Sequence, residues 1–399
     1  MSDRVKIEPS TAPHDPWQWM LDTCLPFWAE RGVHPTHGGF IEFLDASLTP
    51  AIDAESRLRV QARQVYAFSH AYGLSADPRW REVAERGFQY LTKHGWDQKL
   101  GGWMHKHEAD GTITDRRRDA YDHAFVLFAL AHYAHWVDAD AAAPLITKTL
   151  TFLDQEMADP INGGFVEERL EDNGSLLPAA TLPRRQNPHM HLFEAFLALY
   201  EATGDDSHLQ RADAIHDLFT KHFSSKTDGS LIEYFNEDWS IASGDAGTLR
   251  EPGHQFEWVW LLHRYAQHQP NRREQALKQA TALYQFAKAK GVFNLPDGYK
   301  IALDEVDPNG AQLSDTARLW PQTEAIKAGL VMADLGESSD GLADAVLSSM
   351  YQHYLDARTG HWCDQITDKA EPVSETVPTS SLYHLMMALT EWQAHRGQG

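Results

Sequence analysis

Cysteine is nearly absent from this chain: Cys24 and Cys363 are the only two, which leaves neither a disulfide framework nor a cysteine metal site. Long apolar runs are missing as well. The longest, Ala124 to Ala131, falls far short of the roughly 20 residues that span a bilayer. The stretch from Met1 to Trp17 is polar and proline-bearing, without the apolar core of a signal peptide. Positive charge is scarce, with 35 Lys and Arg against 57 Asp and Glu, a formal net charge of −22. That balance argues against nucleic acid and anionic membrane as partners. Phosphate-cradling, dinucleotide-binding and nucleophile-elbow motifs are lacking, as are HExxH and CxxC metal patterns. These absences lead to the expectation of a soluble cytoplasmic protein. Its acidic surface suits either a monomer or a homodimer.

What is present is a 399-residue chain, 42% hydrophobic and 23% charged, able to bury a sizeable core. A glycine-bearing turn recurs at intervals of 62 to 69 residues: Gly38-Gly39-Phe40, Gly101-Gly102-Trp103, Gly163-Gly164-Phe165, Asp228-Gly229-Ser230, Asp297-Gly298-Tyr299 and Gly360-His361-Trp362. A second series, Arg63, His123, His191, His254, Trp320 and His384, keeps a similar period of 60 to 68 residues. Each member lies in a strongly apolar helical segment: 58–72, 121–136, 188–202, 252–265, 316–333 and 380–392. More amphipathic helices alternate with these, with capped starts such as Asp77-Pro78 and Gly204-Asp205. Six helical pairs, one member of each almost wholly apolar, predict an all-α (α/α)6 barrel with short β-hairpins at the glycine turns. No linker or low-complexity stretch interrupts the pattern, so residues 1–399 are expected to form a single catalytic domain.

In such a ring the inner helices run parallel and their N-terminal ends share one mouth. His254, in Glu251-Pro252-Gly253-His254-Gln255-Phe256-Glu257-Trp258, sits in the first turn of its helix, with Glu257 one turn on. There the helix dipole should keep the imidazole neutral. Alone, the pair reads equally well as a cap and a local contact. Asn187-Pro188-His189-Met190-His191-Leu192-Phe193-Glu194 repeats the design, with Asn187 as expected N-cap and Glu194 one turn from His191. In Pro378-Thr379-Ser380-Ser381-Leu382-Tyr383-His384 a Ser/Thr cap precedes the histidine. Three such histidines predict a shared functional mouth. His189 and His191 are two apart and point to different sides of a helix, which disfavours a metal. Arg63 inside an apolar helix calls for a polar ligand, or for burial against Glu257 or Glu324. Trp320 offers an aromatic face suited to the C–H face of a sugar ring, or else fills the core.

The segments Gln61-Ala62-Arg63, Asn187 to Leu192, Pro252 to Trp258, Trp320-Pro321-Gln322-Thr323-Glu324 and Tyr383-His384 resemble those of the N-acylglucosamine 2-epimerase family, over essentially the whole chain. Within it the chain is most similar to the bacterial D-mannose isomerase branch. The resemblance implies an (α/α)6 barrel acting on a free monosaccharide without metal or cofactor. It implies His254 and His384 as the acid/base pair, and Arg63, Asn187, His191, Glu257 and Trp320 around the sugar. Tyr121 and Arg250 transfer onto the substrate site on less constrained spacing. Many epimerases of the family carry Trp-Trp where this chain has Leu319-Trp320, a Lys upstream of the last histidine and an Arg after it. All are absent here, which argues against a disaccharide or N-acylhexosamine substrate.

The implied reaction interconverts mannose and fructose (or lyxose and xylulose) through a cis-enediol. His384 would remove the C2 proton and His254, oriented by Glu257, would move protons between O1 and O2. Which imidazole is the base stays open. Arg63, with His191, would stabilise the charge on those oxygens. A 2-epimerase shares the enediol. A glycoside hydrolase using Asp122 and Glu257, or a non-catalytic sugar-binding module, are the readings from other classes.

Overall fold

Alternation of amphipathic and almost wholly apolar helices leaves the apolar ones one place to go: inside a ring of the others. The computed structural model describes residues 4–178, 183–336 and 341–397. The first outer helix is split into α1 (Pro16–Trp19) and α2 (Leu25–Arg31) by a wide turn at Met20–Cys24. There follow inner α3 (Leu58–Ser75), outer α4 (Pro78–His94), inner α5 (Ala120–Trp136), outer α6 (Ala139–Phe152), inner α7 (Gln186–Thr203) and outer α8 (Asp206–Leu218). After a single turn, α9 (Asp245–Thr248), come inner α10 (Pro252–His268), outer α11 (Arg273–Phe286), inner α12 (Leu319–Asp334), outer α13 (Leu342–His353) and inner α14 (Ser381–Arg396).

The inner helices contact one another in chain order, and α14 closes on α3; each outer helix packs on its inner partner. This is the (α/α)6 barrel that the periodicity predicts. Side-chain caps at Asp77 and Asp205 start α4 and α8 as the sequence indicates. Two expectations differ. Residues Thr316–Arg318 are a strand, and α12 begins at Leu319. Asn187 lies inside α7 rather than capping it: the N-cap residue is Arg185, and His191 consequently falls in the second turn.

Each glycine turn makes a narrow antiparallel hairpin, seen in the bridges Val33 to Phe40, Trp96 to Trp103, Ala158 to Phe165, Ser224 to Leu231 and Leu355 to Trp362, and in the strand pair Val292–Asn294 with Lys300–Ala302. Strands also form where none was expected. The extended residues entering each inner helix pair with the next repeat: Arg118–Asp119 with Glu168–Arg169, Arg184–Arg185 with Tyr234–Phe235, Thr316–Arg318 with Gln365–Thr367. Phe43–Asp45 with Thr376–Pro378 joins the first repeat to the last. Backbone at the polar mouth has no helical partner, so it finds one across the repeat boundary. Trp28 stacks on Trp362 at 4.3 Å and packs the same seam.

A buried side chain in four inner helices ties its hairpin down. Gln61 accepts from Phe40 N and donates to Phe40 O; Gln322 does the same at Ala302. His123 Nε2 accepts from Trp103 N and His189 Nε2 from Phe165 N. Both imidazoles are fully buried, and desolvation holds them neutral, at about 4 and about 3. His123 therefore faces outward and does not belong to the mouth series. His189 is a hairpin anchor, on a different side of α7 from His191.

Candidate active site

The strand pairing that locks adjacent repeats also sets which side chains share a level along the barrel axis. Residues entering the inner helices donate to equivalent carbonyls of the next repeat: Leu58 to His105, Ala120 to Glu167, Gln186 to Glu233, Leu319 to Asp364 and Thr379 to Glu42. Counting from these, Arg59, Tyr121, Asn187, Gly253, Trp320 and Ser380 occupy the rim of the axis. Arg63, Phe125, His191, Glu257, Glu324 and His384 form the level beneath, and Tyr66, Phe128, Glu194, Trp260, Lys327 and Met387 the floor. His254 enters from one position beside the rim. A cavity of about 380 Å³ opens there, in the size range of small-molecule sites.

Of the residues singled out from the sequence, Arg63, Tyr121, Asn187, His191, His254, Glu257, Trp320 and His384 line this cavity together. Arg250 does not. Its guanidinium is spent on Ser230 Oγ at 2.8 Å and on the carbonyls of Gly247 and Leu249, so it braces the loop before α10. Asp122 is also outside, held by Arg59 at 3.1 Å and by His105.

His254 and His384 both pack against Trp320, with ring centroids 5.0 and 5.7 Å from the indole. The indole fits because residue 253 is glycine: a Cβ there would lie 2.5 Å from the Trp320 ring. Nδ1 of His384 lies 3.0 Å from Glu324 Oε1. Burial lowers Glu324's neighbour to about 4, against the pull of Glu324 itself and with help from Arg63 and Lys327. An ionised carboxylate only accepts, so Nδ1 carries the proton and Nε2 keeps its lone pair. At neutral pH His384 is thus a neutral imidazole with a basic nitrogen.

His254 has the opposite state. Its Nδ1 lies 3.0 Å from Glu233 Oε2 and 3.8 Å from Glu251 Oε2. Burial opposes the charge, but Glu251 and Glu233 outweigh it and raise the imidazole to about 9. The neutral His254 expected from the helix dipole is overturned: two carboxylates within 4 Å outweigh a half-charge at a helix end. Its orienting partner also differs from expectation. Glu257 is one turn on in sequence, yet the hydrogen bond goes to Glu233, on the post-hairpin segment.

Glu257 belongs instead to the acidic cluster on the axis. Its Oε1 lies 3.9 Å from His191 Nδ1, and it is buried beside Glu324 and Glu194. Burial and those neighbours raise its carboxyl well above the ordinary range. His191 Nδ1 bonds Glu194 at 2.9 Å, and Tyr383 Oη donates to the same carboxylate at 2.7 Å. Arg63 donates to Tyr121 Oη at 3.0 Å and lies over the Phe125 ring at 4.1 Å. It has neither of the anticipated partners, Glu257 or Glu324. Arg63 Nε, Asn187 Oδ1 and Glu257 Oε1 are buried with no hydrogen-bond partner. Unsatisfied groups gathered around one cavity are what a polyhydroxylated ligand would satisfy.

Sequence reading missed Arg57, Arg59, Glu251, Arg318, Asp364, Ser380 and Ser381, which with Pro378 complete the lining, and Glu233 behind His254. A signal for Glu233 was present. Glu42, His105, Glu167, Glu233, Asp304 and Asp364 all stand two residues past the hairpin's closing position. Four of them accept the backbone N–H just ahead of an inner helix: Glu42 from Arg57, Glu167 from Arg185, Glu233 from Glu251 and Asp304 from Arg318.

Among the described residues, three sets of side chains lie close enough to surround a cation: His191, Glu194 and Glu257; Glu233, Glu251 and His254; Glu257, Glu324 and His384. The second set already encloses the charged imidazole of His254. In the third, Lys327 Nζ lies 2.6 Å from Glu324. In the first, Glu194 is engaged by His191 and Tyr383. Protein donors or cations thus already meet Glu194, Glu233 and Glu324, whereas Glu257 Oε1 has no hydrogen-bond partner.

The family model for N-acylglucosamine 2-epimerase (GlcNAc 2-epimerase) matches residues 38–388. A mannose-6-phosphate isomerase of Rhizobium meliloti (strain 1021) is 35% identical over 387 residues, 94% of each chain. A D-mannose isomerase of Thermobifida fusca is 27% identical, covering 90% of this chain and 89% of its own. Among solved structures, a D-mannose isomerase superposes with a TM-score of 0.85 at 21% identity, over 97% of this chain and 99% of the other, and so shares the fold. The (α/α)6 architecture and the match over nearly the full length place this chain in the N-acylglucosamine 2-epimerase family.

Proposed function

We propose that the chain, working as a single catalytic unit, is an aldose–ketose isomerase that interconverts D-mannose and D-fructose without metal or cofactor. The observation that carries this reading is the placement of His254 and His384 on one cavity, each with Nδ1 3.0 Å from a buried glutamate, in surroundings that push the first imidazole up and the second down. Groups pushed to opposite protonation states identify a base and an acid.

His254 protonates the ring oxygen and regains a proton from the O1 hydroxyl, which opens the sugar to its aldehyde and leaves His254 charged again. His384 Nε2 then takes the proton from C2 while His254 protonates O1, giving the cis-enediol. Returning the C2 proton to C1 from His384, with the O2 proton going back to His254, yields the ketose. Arg63 and His191 steady the charge that builds on O1 and O2. Asn187 Oδ1 and Glu257 hold sugar hydroxyls, and Trp320 lies against the C–H face. No electron leaves the substrate in either direction, so the chemistry needs no redox group.

Three of the cavity's arginines are already neutralised: Arg57 by Glu42, Arg59 by Asp122 and Arg318 by Asp304. The lining also contains Glu251 and Asp364. This favours an uncharged monosaccharide over a phosphorylated one. A hydrolase is disfavoured because Asp122, the required second carboxylate, is held outside the cavity. Cys24 and Cys363 are buried free thiols, and no described helix is long and apolar enough to cross a membrane. Both suit the reducing cytoplasm.

The test is incubation with mannose and, separately, mannose 6-phosphate, with the products identified over time. Fructose from free mannose supports the reading. Glucose formed with no fructose stage points to a 2-epimerase, and turnover of the phosphate alone reassigns the substrate. Activity should survive exhaustive chelation.

A further inference from the structure

Beneath the cavity, behind Glu324, lies a fully buried lysine that the reaction above does not use. Lys327 is completely shielded from solvent, and its Nζ lies 2.6 Å from Glu324 Oε2. The other oxygen of Glu324 accepts from His384 at 3.0 Å. The ammonium also rests 4.2 Å from the Trp260 ring centroid and 3.1 Å from Met387 Sδ. On its far side lies a second cavity of about 260 Å³, lined by Trp260, Arg264 and Glu391, at the opposite end of the barrel. Lys327 thus closes the axis between the two cavities.

Burying an ammonium is costly and needs a compensating partner. Glu324 supplies one, and the arrangement has a consequence for His384. A carboxylate alone on an imidazole stabilises the imidazolium, which is useless as a base. His254 illustrates that outcome, since Glu233 and Glu251 hold it protonated; Arg318 reaches Glu251 only from a part-exposed position, at 3.5 Å. His384 sits on an equally close glutamate and is neutral. His384 lacks the second carboxylate that Glu251 gives His254, and burial, Arg63 and Lys327 all favour its neutral form; of these, Lys327 acts through direct contact with Glu324. Other ionisable groups facing His384 are Arg63 from α3, Glu257 from α10 and its own neighbour Tyr383, which donates to Glu194 of α7. Among these the cation in direct contact with Glu324 is Lys327.

We infer that Lys327 is a positioning residue that neutralises Glu324 from below, so that Glu324 orients His384 without protonating it. The inference deepens the isomerase reading and rests on His384 as the base. Lys327 touches no substrate; it sets the state of the group that does. Removing its charge makes the Glu324–His384 pair hold a proton more tightly, whichever of the two carries it.

The experiment is a titration of the His384 imidazole by ¹⁵N NMR, assigned with His384→Asn, in the wild type, Lys327→Met and Lys327→Arg without sugar. Proton uptake by the pair should move up by about one pH unit or more in Lys327→Met. It should stay near the wild-type position in Lys327→Arg, and the acidic limb of kcat/KM should follow. Lys327→Gln replaces Lys327→Met if the latter does not fold. An unmoved midpoint in the neutral variants, or the same displacement in Lys327→Arg, would overturn the inference. Because the titration needs no turnover, a chain that isomerises no sugar refutes the proposed function and leaves this test intact.

Discussion

His254 and His384 each present Nδ1 to a buried glutamate at 3.0 Å, Glu233 and Glu324, yet one imidazole is charged and the other neutral. Catalysis by this pair requires His384 unprotonated, which holds above about 4, and His254 protonated, which holds below about 9. The kcat/KM profile for mannose should therefore be a broad bell, falling below the first value and above the second. Glu233→Gln removes a carboxylate from His254 and should pull the alkaline limb downward while leaving the acid limb in place. A profile recorded on both proteins checks the assignment; an alkaline limb indifferent to Glu233 would show that His254 is not the acid.

Replacing either histidine by asparagine keeps a polar group of similar reach and removes proton transfer. His254→Asn and His384→Asn should each lose at least about 10³-fold in kcat, within the range expected for a general acid or base. Circular dichroism should show that both variants remain folded. Near-normal turnover in either variant would remove that residue from the pair.

Arg63 stands free of carboxylates in the described structure, bonded only to the Tyr121 hydroxyl and lying over Phe125. Its remaining N–H groups are therefore available where charge develops on the enediol oxygens. Arg63→Gln should lower kcat by about 10²–10³ with a smaller change in KM, since the charge exists only along the reaction path. Steady-state kinetics on mannose separate this from a residue that merely holds the ground state, which would raise KM alone.

The barrel was legible because helical periodicity and glycine punctuation are local signals, repeated six times. The site was legible in part for the same reason: Asn187, His191, His254 and His384 lie at or near helix starts that proline or Ser/Thr marks. What stayed hidden depends on contacts between segments distant in the chain. Glu233 reaches His254 from 21 residues upstream, and no spacing within α10 reveals it. Glu257 looks local to His254 but turns toward Glu194 and Glu324 on other helices. The mouth series was off register at His123, since an apolar helix buried on all sides offers no polar face to fix which residue points to the axis. Phe125 is the residue at that level.

Hairpin anchoring gives the last expectation, about stability rather than chemistry. Gln322 and His189 solve the same problem: each donates to the carbonyl four residues back, of Arg318 and Arg185, and accepts an N–H from its hairpin. The amide does not titrate; the imidazole does. His189 and His123 are buried and His70 is partly so; desolvation lowers the three to about 3, about 4 and about 4. In the unfolded chain each takes a proton near pH 6.5. Between there and about pH 4 the unfolded state binds protons that the fold refuses, so stability falls as pH falls, by about 1.4 kcal/mol per pH unit for each histidine. His254, raised to about 9, acts in the other direction: its contribution is complete below pH 6.5 and is lost as pH rises through 9. His189→Gln copies the anchor of Gln322 without the titration. It should flatten the acid slope of the unfolding free energy by one histidine's share and leave mannose turnover at pH 7 unchanged. Urea melts at pH 4.5, 5.5 and 6.5 measure that slope. An unchanged slope would mean that His189 is protonated in the folded chain after all.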